Sequence, residues 1–413
     1  MEDPVRLLID LFRTAITAVD GRRSVAAALQ ASGGERTVEV IGLGKAAVGM
    51  SRGAVDVLGG RIRRGLVVTA SGCNDISDRR FECYEAGHPV PDARSFAAGQ
   101  RLLDFLHESP PDVRFLFLIS GGASALVDVP APGIAPEELV ELNRWLLGSG
   151  FDIGAMNAVR KSVSRIKGGG LLRYIGNRPA KALYISDVTG DRVADIGSGP
   201  LGPIEHRPLP PLPERISVLI DKARSAPPAD NQAQVERKIV ATLADAMDGA
   251  AAEARRRGFD VFIHEVRLAG EADEAGAAIA EKLLQAPPGI HIWGGETVVR
   301  LPPNPGRGGR SQQLALAAAV RLNGCDGISL LAAGTDGVDG TGDAAGAIVG
   351  GGTVARGIET GADPAAALAR ADAGAFLEAA GSLLRTGATG TNVTDIVLGL
   401  KTEAEKVRRV PEI

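Results

Sequence analysis

A carboxylate and two arginines sit among glycines in one short stretch, Gly294-Gly295-Glu296-Thr297 followed by Gly306-Arg307-Gly308-Gly309-Arg310-Ser311-Gln312-Gln313. Arginine offers a forked, permanently charged set of donors, and glycine lets backbone N–H groups approach an anion without interference from Cβ. An apolar run from Ile290 to Trp293 precedes the stretch and reads as a strand, and a helical pattern follows from Leu314 to Val320. A phosphate or carboxylate suits such a loop at a helix N-terminus. In isolation the same composition also makes an ordinary surface turn, so its weight comes from recurrence.

Similar loops follow other expected strands. Gly42-Leu43-Gly44-Lys45-Ala46-Ala47 closes one strand and opens a helix, satisfying the GxGxxA form of a dinucleotide fingerprint. The acidic residue that would bind a ribose is missing, since the next strand follows Arg63 and Arg64 and ends Val67-Val68-Thr69-Ala70-Ser71. Lys45 inside the turn fits a phosphate or carboxylate better than NAD. Ser120-Gly121-Gly122-Ala123-Ser124 follows Phe115 to Ile119 and presents a hydroxyl and turn amides to an anion. No GxxxxGK[ST] loop occurs, and this loop has no Gly-x-Ser-x-Gly elbow, which argues against a serine hydrolase.

A basic stretch follows from Asn157 through Arg160, Lys161, Arg165 and Lys167 to Gly168-Gly169-Gly170, read as a helix over 157–172. Its cations spread over more than one face, so some of them face solvent. Ser186-Asp187-Val188-Thr189-Gly190-Asp191 places a carboxylate at a strand's end, where it can bind a metal, accept a proton or cap a turn. Gly334-Thr335-Asp336-Gly337-Val338-Asp339-Gly340 repeats that design without EF-hand spacing, and Thr389-Gly390-Thr391-Asn392-Val393 closes the set.

The chain of 413 residues is too long for one ordinary core and implies two domains. With 45% hydrophobic and 23% charged residues it reads as a soluble globular protein, and 54 glycines point to many tight turns. A formal charge of −4, with no basic run longer than Arg255-Arg256-Arg257, gives no footprint for nucleic acid. Cys73, Cys83 and Cys325 have no CxxC spacing and an odd count, so neither a zinc site nor a disulfide framework is expected, and a reducing cytoplasm fits best. The N-terminus is no signal peptide, and no apolar run approaches the roughly 20 residues of a membrane span.

Short apolar strands at Val38–Leu43, Leu66–Thr69, Arg114–Ile119 and Ala182–Ile185 alternate with helical patterns at 46–57, 94–107, 136–147 and 157–172. That order predicts an α/β fold, a doubly wound Rossmann-like sheet whose ligand loops lie beyond the carboxyl ends of the strands. Prolines crowd the stretch from Pro200 to Pro213 and mark the start of a domain connection, continued by a helix at 216–223 and a polar loop to Gln232. The expected N-terminal domain covers 1–228 and the C-terminal one 229–413. The second contains a helical run over 239–256, strands at 261–266, 290–293 and 328–332, and an alanine-rich helix over 364–384.

Taken together the loops resemble the glycerate 2-kinase family, two-domain enzymes whose C-terminal part is called the MOFRL domain. The resemblance rests on GKAAVGM at Gly44, EAGHPVPD at Glu85, LISGGASAL at Leu118, NAVRK at Asn157, SRIKGG at Ser164, ISDVTGD at Ile185, IGSGP at Ile196, GGET at Gly294, GRGGR at Gly306, GTDGVDG at Gly334, DAAGA at Asp343 and TGTNV at Thr389. It implies phosphoryl transfer from ATP, with Mg²⁺, to the 2-hydroxyl of D-glycerate in an interdomain cleft. Catalytic roles then fall on Lys45 and Arg310, which neutralise charge, and on Asp187, which orients or deprotonates the hydroxyl or holds Mg²⁺. Gly44, Ser120, Gly121, Gly122, Ser124, Asn157, Lys161, Asp191, Glu296 and Asp336 become candidates for substrate or nucleotide contact, Asp336 also for metal. A homodimer is compatible with this reading.

The chain departs from the family pattern at Ser162, Gly170, Leu201, Thr341-Gly342 and, after GRGG, at Ser311 and Gln313. These leave a related small hydroxy acid open as acceptor. The family also carries a hydroxypyruvate reductase label, so an NAD(P)H-dependent reductase is a second hypothesis and a non-catalytic binding module a third.

Overall fold

The computed structural model describes residues 3–31, 37–70, 72–73, 76–205, 208–223 and 233–403. The chain forms two compact units, one of Val19–Thr242 with Gly390–Val393, the other of Met1–Ala18, Leu243–Thr389 and Thr394–Ile413. The expected boundary at 228/229 lies outside the described residues; the chain passes from one unit to the other between Thr242 and Leu243.

The first unit contains six parallel strands, β1 (Val38–Leu43), β2 (Ile62–Thr69), β3 (Phe81–Glu85), β4 (Arg114–Ile119), β5 (Ala180–Ile185) and β6 (Val235–Ala241), in the order β3-β2-β1-β4-β5-β6. This is the doubly wound order with its switch point between β1 and β4, where the chain leaves adjacent strands in opposite directions and opens a crevice. Central strands are buried almost throughout, which is why they read as continuous apolar runs. The edge strands β3 and β6 did not: their charges, Glu82 and Glu85 in one and Glu236, Arg237 and Lys238 in the other, lie on partly exposed edges. The helical run expected from Ile239 therefore begins only at Leu243.

Helix Ala93–Glu108 shows how local chemistry anchors this unit. The Asp92 side chain accepts the N–H groups of Arg94 and Ser95, and Ser95 Oγ accepts the Asp92 N–H, a reciprocal cap. Leu102, Phe105 and Leu106 then bury against Phe115 and Phe117 of β4. Each such aromatic ring removed from water stabilises the fold by roughly 1.5–3 kcal/mol. Cys73 and Cys83 form a disulfide, which corrects the expectation of unpaired thiols; the strand pair β2/β3 brings them together, a proximity their spacing did not reveal. Cys325 is free.

The second unit has a mixed sheet, β7 (Val261–Ile263), β8 (Gly289–Gly295), β9 (Ile328–Gly334), β10 (Gly346–Gly350), β11 (Leu383–Leu384) and β12 (Asp395–Lys401), ordered β11-β10-β9-β12-β8-β7. Strand β12 runs antiparallel to both β8 and β9, setting its first residue, Asp395, opposite Gly295 and Gly334 at their carboxyl ends. The N-terminal helix Pro4–Ala18 belongs to this unit and packs on helix Leu243–Arg256, where Arg257 pairs with Asp10 at 3.3 Å. The expected helix over 364–384 is two helices, Pro364–Ala369 and Ala373–Ala379, broken at Ala371, whose φ of 50° no helix tolerates, and ending in β11. Among the described residues no helix is long and apolar enough to cross a membrane.

Candidate active site

The first unit's loops converge at the switch point. Gly44 has φ 120°, and a Cβ there would stand 2.3 Å from Ser120 Oγ, so only glycine fits. Four successive amides are consumed internally: Gly44 N–H donates to Val68 O (3.0 Å), Lys45 N–H to Gly121 O (2.9 Å), Ala46 N–H to Ser120 Oγ (3.0 Å) and Ala47 N–H to Gly44 O (3.1 Å). A dinucleotide fold needs the amides of this turn for the pyrophosphate. The GxGxxA turn therefore locks β1 to β4.

Ser120, expected at the ligand, is fully buried and serves that lock. Gly121 and Gly122 bring charged groups together instead. A Cβ on Gly122 would stand 3.1 Å from Lys45 Cγ and 3.2 Å from His88 Cδ2, so the lysine stem lies over this turn. On Gly121 it would stand 1.9 Å from Asp187 Oδ2 and 2.4 Å from Asn392 Nδ2. Asn392 Nδ2 donates to Asp187 Oδ2 at 3.5 Å, and its segment is tied down where Thr391 Oγ1 donates to Val19 O. Thus Lys45, Asp187, His88 and Asn392 share one glycine turn. The last two received no role from sequence, although EAGHPVPD and TGTNV are prominent motifs.

Ser124 and Asn157 meet at Ser198, a buried residue with φ 62°. Ser198 Oγ donates to Asn157 Oδ1 (2.9 Å), so the 2.8 Å contact with Ser124 Oγ takes its proton from Ser124. Lys161 pairs with Asp195 at 3.5 Å, and Asp191 lies in the turn after β5 with φ 51°.

The basic stretch is not one helix. It ends at Ser162, because Ser164 Oγ donates to Asp128 and Gly168 and Gly169 take φ of 58° and 82°. Lys167 is buried in an ion pair with Asp128, and burial lowers its pKa while Asp128 opposes that shift. Arg160 donates to Asn143 Oδ1, and Arg165 to Tyr174. These cations hold the unit together.

In the second unit Arg310 opens helix Arg310–Arg321. Its Nε donates to Asp395 Oδ2 (2.6 Å) and its Nη2 to Asp395 Oδ1 (3.1 Å), while Nη1 pairs with the exposed Glu296. Asp339 accepts the N–H groups of Ser311 (3.0 Å) and Gln312 (2.8 Å) and so caps the helix; Gly309 leaves room for it. Burial works against the charge on Arg310, but Asp395 and then Glu296 outweigh it and its proton is held more tightly than usual. Burial pushes Asp395 up to about 6 against the pull of Arg310. Asp336 Oδ1 accepts the Val338 N–H in the loop after β9. Asp395 was not a sequence candidate.

Among the described residues no cluster of three or more His, Cys, Asp or Glu side chains forms a ready metal cage. Neither Asp187 nor Asp336 is part of one.

A family model described as "Domain of unknown function (DUF4147)" matches residues 7–208, and one described as "MOFRL family" matches 289–395. D-glycerate 2-kinase of Thermotoga maritima is 38% identical over 409 residues, covering 96% of this chain and 98% of the relative. The chain belongs to the glycerate 2-kinase family. A crystal structure of glycerate kinase from Thermotoga maritima has a TM-score of 0.81 at 36% identity, covering 96% of this chain and 99% of that one. A relative from Agrobacterium vitis, 36% identical over 379 residues and covering 86% of this chain and 97% of its own, carries the hydroxypyruvate reductase label.

Several departures from the glycerate 2-kinase pattern serve internal packing. Gln313 is buried and donates to Leu368 O at 3.0 Å, and Ser311 is buried in the same helix. Leu201 lies in the core of the first unit, Ser162 Oγ donates to Val159 O, and a Cβ at Gly170 would stand 2.4 Å from Arg165 O.

Proposed function

We propose that this glycerate kinase transfers the terminal phosphoryl group of ATP to the 2-hydroxyl of D-glycerate, giving 2-phosphoglycerate and ADP. The observation that carries the reading is the placing of Asp187 beside Gly121 and of the Lys45 stem beside Gly122: a cation and a carboxylate at one turn free of side chains. Phosphoryl transfer needs little covalent help from protein and much positioning and charge neutralisation. Lys45 supplies positive charge to the transferring group, and Asp187 accepts a hydrogen bond from the attacking hydroxyl and takes its proton as the new P–O bond forms; Arg310 is the second cation that the family motifs assign to this chemistry.

Mg²⁺ usually keeps waters and substrate phosphates and takes only one or two protein carboxylates, so no cage is needed, and Asp336, or Asp187 in place of its role as base, would be its protein donor. When bound, it supplies neutralisation of the phosphate oxygens. Asn392 holds Asp187 in place by donating to the oxygen that faces Gly121.

A reductase finds less support, since the amides of the β1 turn are spent and Thr69-Ala70 ends β2 where an acid is needed. The test is ADP release with ATP, Mg²⁺ and D-glycerate, with ³¹P NMR to tell the 2-phosphate from the 3-phosphate, beside NADH or NADPH with hydroxypyruvate. Cofactor oxidation without ADP release would overturn the assignment, and turnover only with another hydroxy acid would move the acceptor.

A further inference from the structure

We infer that Asp395 is the positioning residue that aims Arg310 at the transferring phosphoryl group, an inference that rests on the kinase reading above. The two edges of the guanidinium are held differently. Both oxygens of Asp395 engage the edge carrying Nε and Nη2, and this side chain is only 9% exposed. The remaining nitrogen, Nη1, meets Glu296, whose side chain is 51% exposed.

A carboxylate in solvent contributes little to a pair and exchanges readily, whereas a buried two-point fork is directional. The guanidinium thus has one fixed edge and one replaceable edge. An incoming phosphate oxygen can take the place of the Glu296 carboxylate while Asp395 keeps the plane of the group constant.

The backbone beneath Arg310 is fixed as well. Asp339 caps the helix at Ser311 and Gln312, and Gln312 Nε2 returns a bond to Asp339 O at 3.0 Å. Asp395 itself cannot shift along its strand, because β12 is paired on both sides, with Gly295 and Gly334 opposite it. A lysine at position 310 would offer a point charge and no fork. Asp395 acts only through Arg310, so its removal should matter only while Arg310 is present.

The experiment compares wild type, Asp395→Asn, Asp395→Ala, Arg310→Ala and the double variant Arg310→Ala/Asp395→Ala for kcat and for KM of ATP and D-glycerate. Asp395→Asn should lower kcat about 10–100-fold with both KM values within about threefold, because the lost interaction matters in the transition state. The double variant should be no more than about threefold slower than Arg310→Ala alone. Near-wild-type kcat in Asp395→Asn, or losses that multiply in the double variant, would overturn the inference. The near-isosteric Asn variant and the double variant, which removes both partners of the buried pair, carry the test if Asp395→Ala does not fold.

A second readout does not depend on turnover. In protein labelled with ¹⁵N-arginine, the Nε–H signal missing from Arg310→Lys should be sharp and slow to exchange in wild type and broad in Asp395→Asn. An unchanged signal refutes the fork. Absence of wild-type turnover with D-glycerate would instead count against the kinase reading, with the fork still decided by this signal.

Discussion

Asn392 lies 205 residues from Asp187 in sequence and 3.5 Å from it in space, donating its side-chain amide to the oxygen that faces Gly121. The donor favours the ionised carboxylate and fixes its direction. Bonds to charged groups contribute about 1.5–3 kcal/mol, and at this length the lower end applies. Asn392→Ala should therefore slow turnover about tenfold. Asn392→Asp should do worse, because a second carboxylate raises the pKa of Asp187, and its rate should recover as pH rises. A pH series of kcat for the two variants checks this, and parallel profiles would remove the electrostatic part of the argument.

Lys45 and Arg310 should separate activity from stability. Lys45→Ala should cost about 10²–10³ in kcat, the range for one missing electrostatic stabiliser, and well under about 1 kcal/mol in folding. Arg310→Ala should lose comparable activity and also about 1–3 kcal/mol of stability near pH 8, below the full cost of breaking a buried pair because the arginine is partly exposed. That penalty comes from leaving Asp395 ionised and buried. It should shrink toward pH 5 as the carboxyl takes up a proton, which denaturant titrations at two pH values would show.

Sequence made the central strands and their loops legible because both follow from local rules: β1 and β4 are apolar runs, and glycine marks the turns that follow them. It did not reveal the partners. Asp395 stands at the start of a short apolar run that could belong to a helix or a strand, and only its insertion between β8 and β9 makes it the neighbour of Arg310. Lys167 was one cation among several in a basic stretch, and only its burial against Asp128 decides its role. Ser120 looked like a phosphate contact by motif, yet its hydroxyl serves the adjacent turn. The family motifs marked out the loops, while hydrogen-bond geometry shows which of their side chains hold those loops together.

The pH profile should carry the signature of Asp395. Its pKa in the folded chain is about 6 against 3.8 for the free carboxyl, because burial disfavours the charge. A raised carboxyl pKa means that the folded state binds a proton in this window, so this group's contribution to stability is present below 3.8 and is lost as pH rises through about 6. Activity should run the other way: below about 6 the neutral carboxyl loosens the fork, and kcat falls. Asp395→Asn, which has no proton to lose, should show a lower plateau and no acid limb at that position. An identical limb in the variant would assign it to another group.

Glycine substitutions should read out the crowding at the site. Gly121→Ala would place a methyl 1.9 Å from Asp187 Oδ2 and 2.4 Å from Asn392 Nδ2, distances that no packing tolerates, so the carboxylate must move. The displacement needed is about an ångström or more, enough to cost roughly 10²-fold in a positioned reaction. Gly148 is the control: it ends helix Pro136–Gly148, and a Cβ there meets nothing within 4 Å. Gly148→Ala should leave turnover unchanged and raise stability by about 0.5–1 kcal/mol through lost chain entropy. Turnover that survives Gly121→Ala would mean that the position of Asp187 beside Gly121 is not the one used in catalysis.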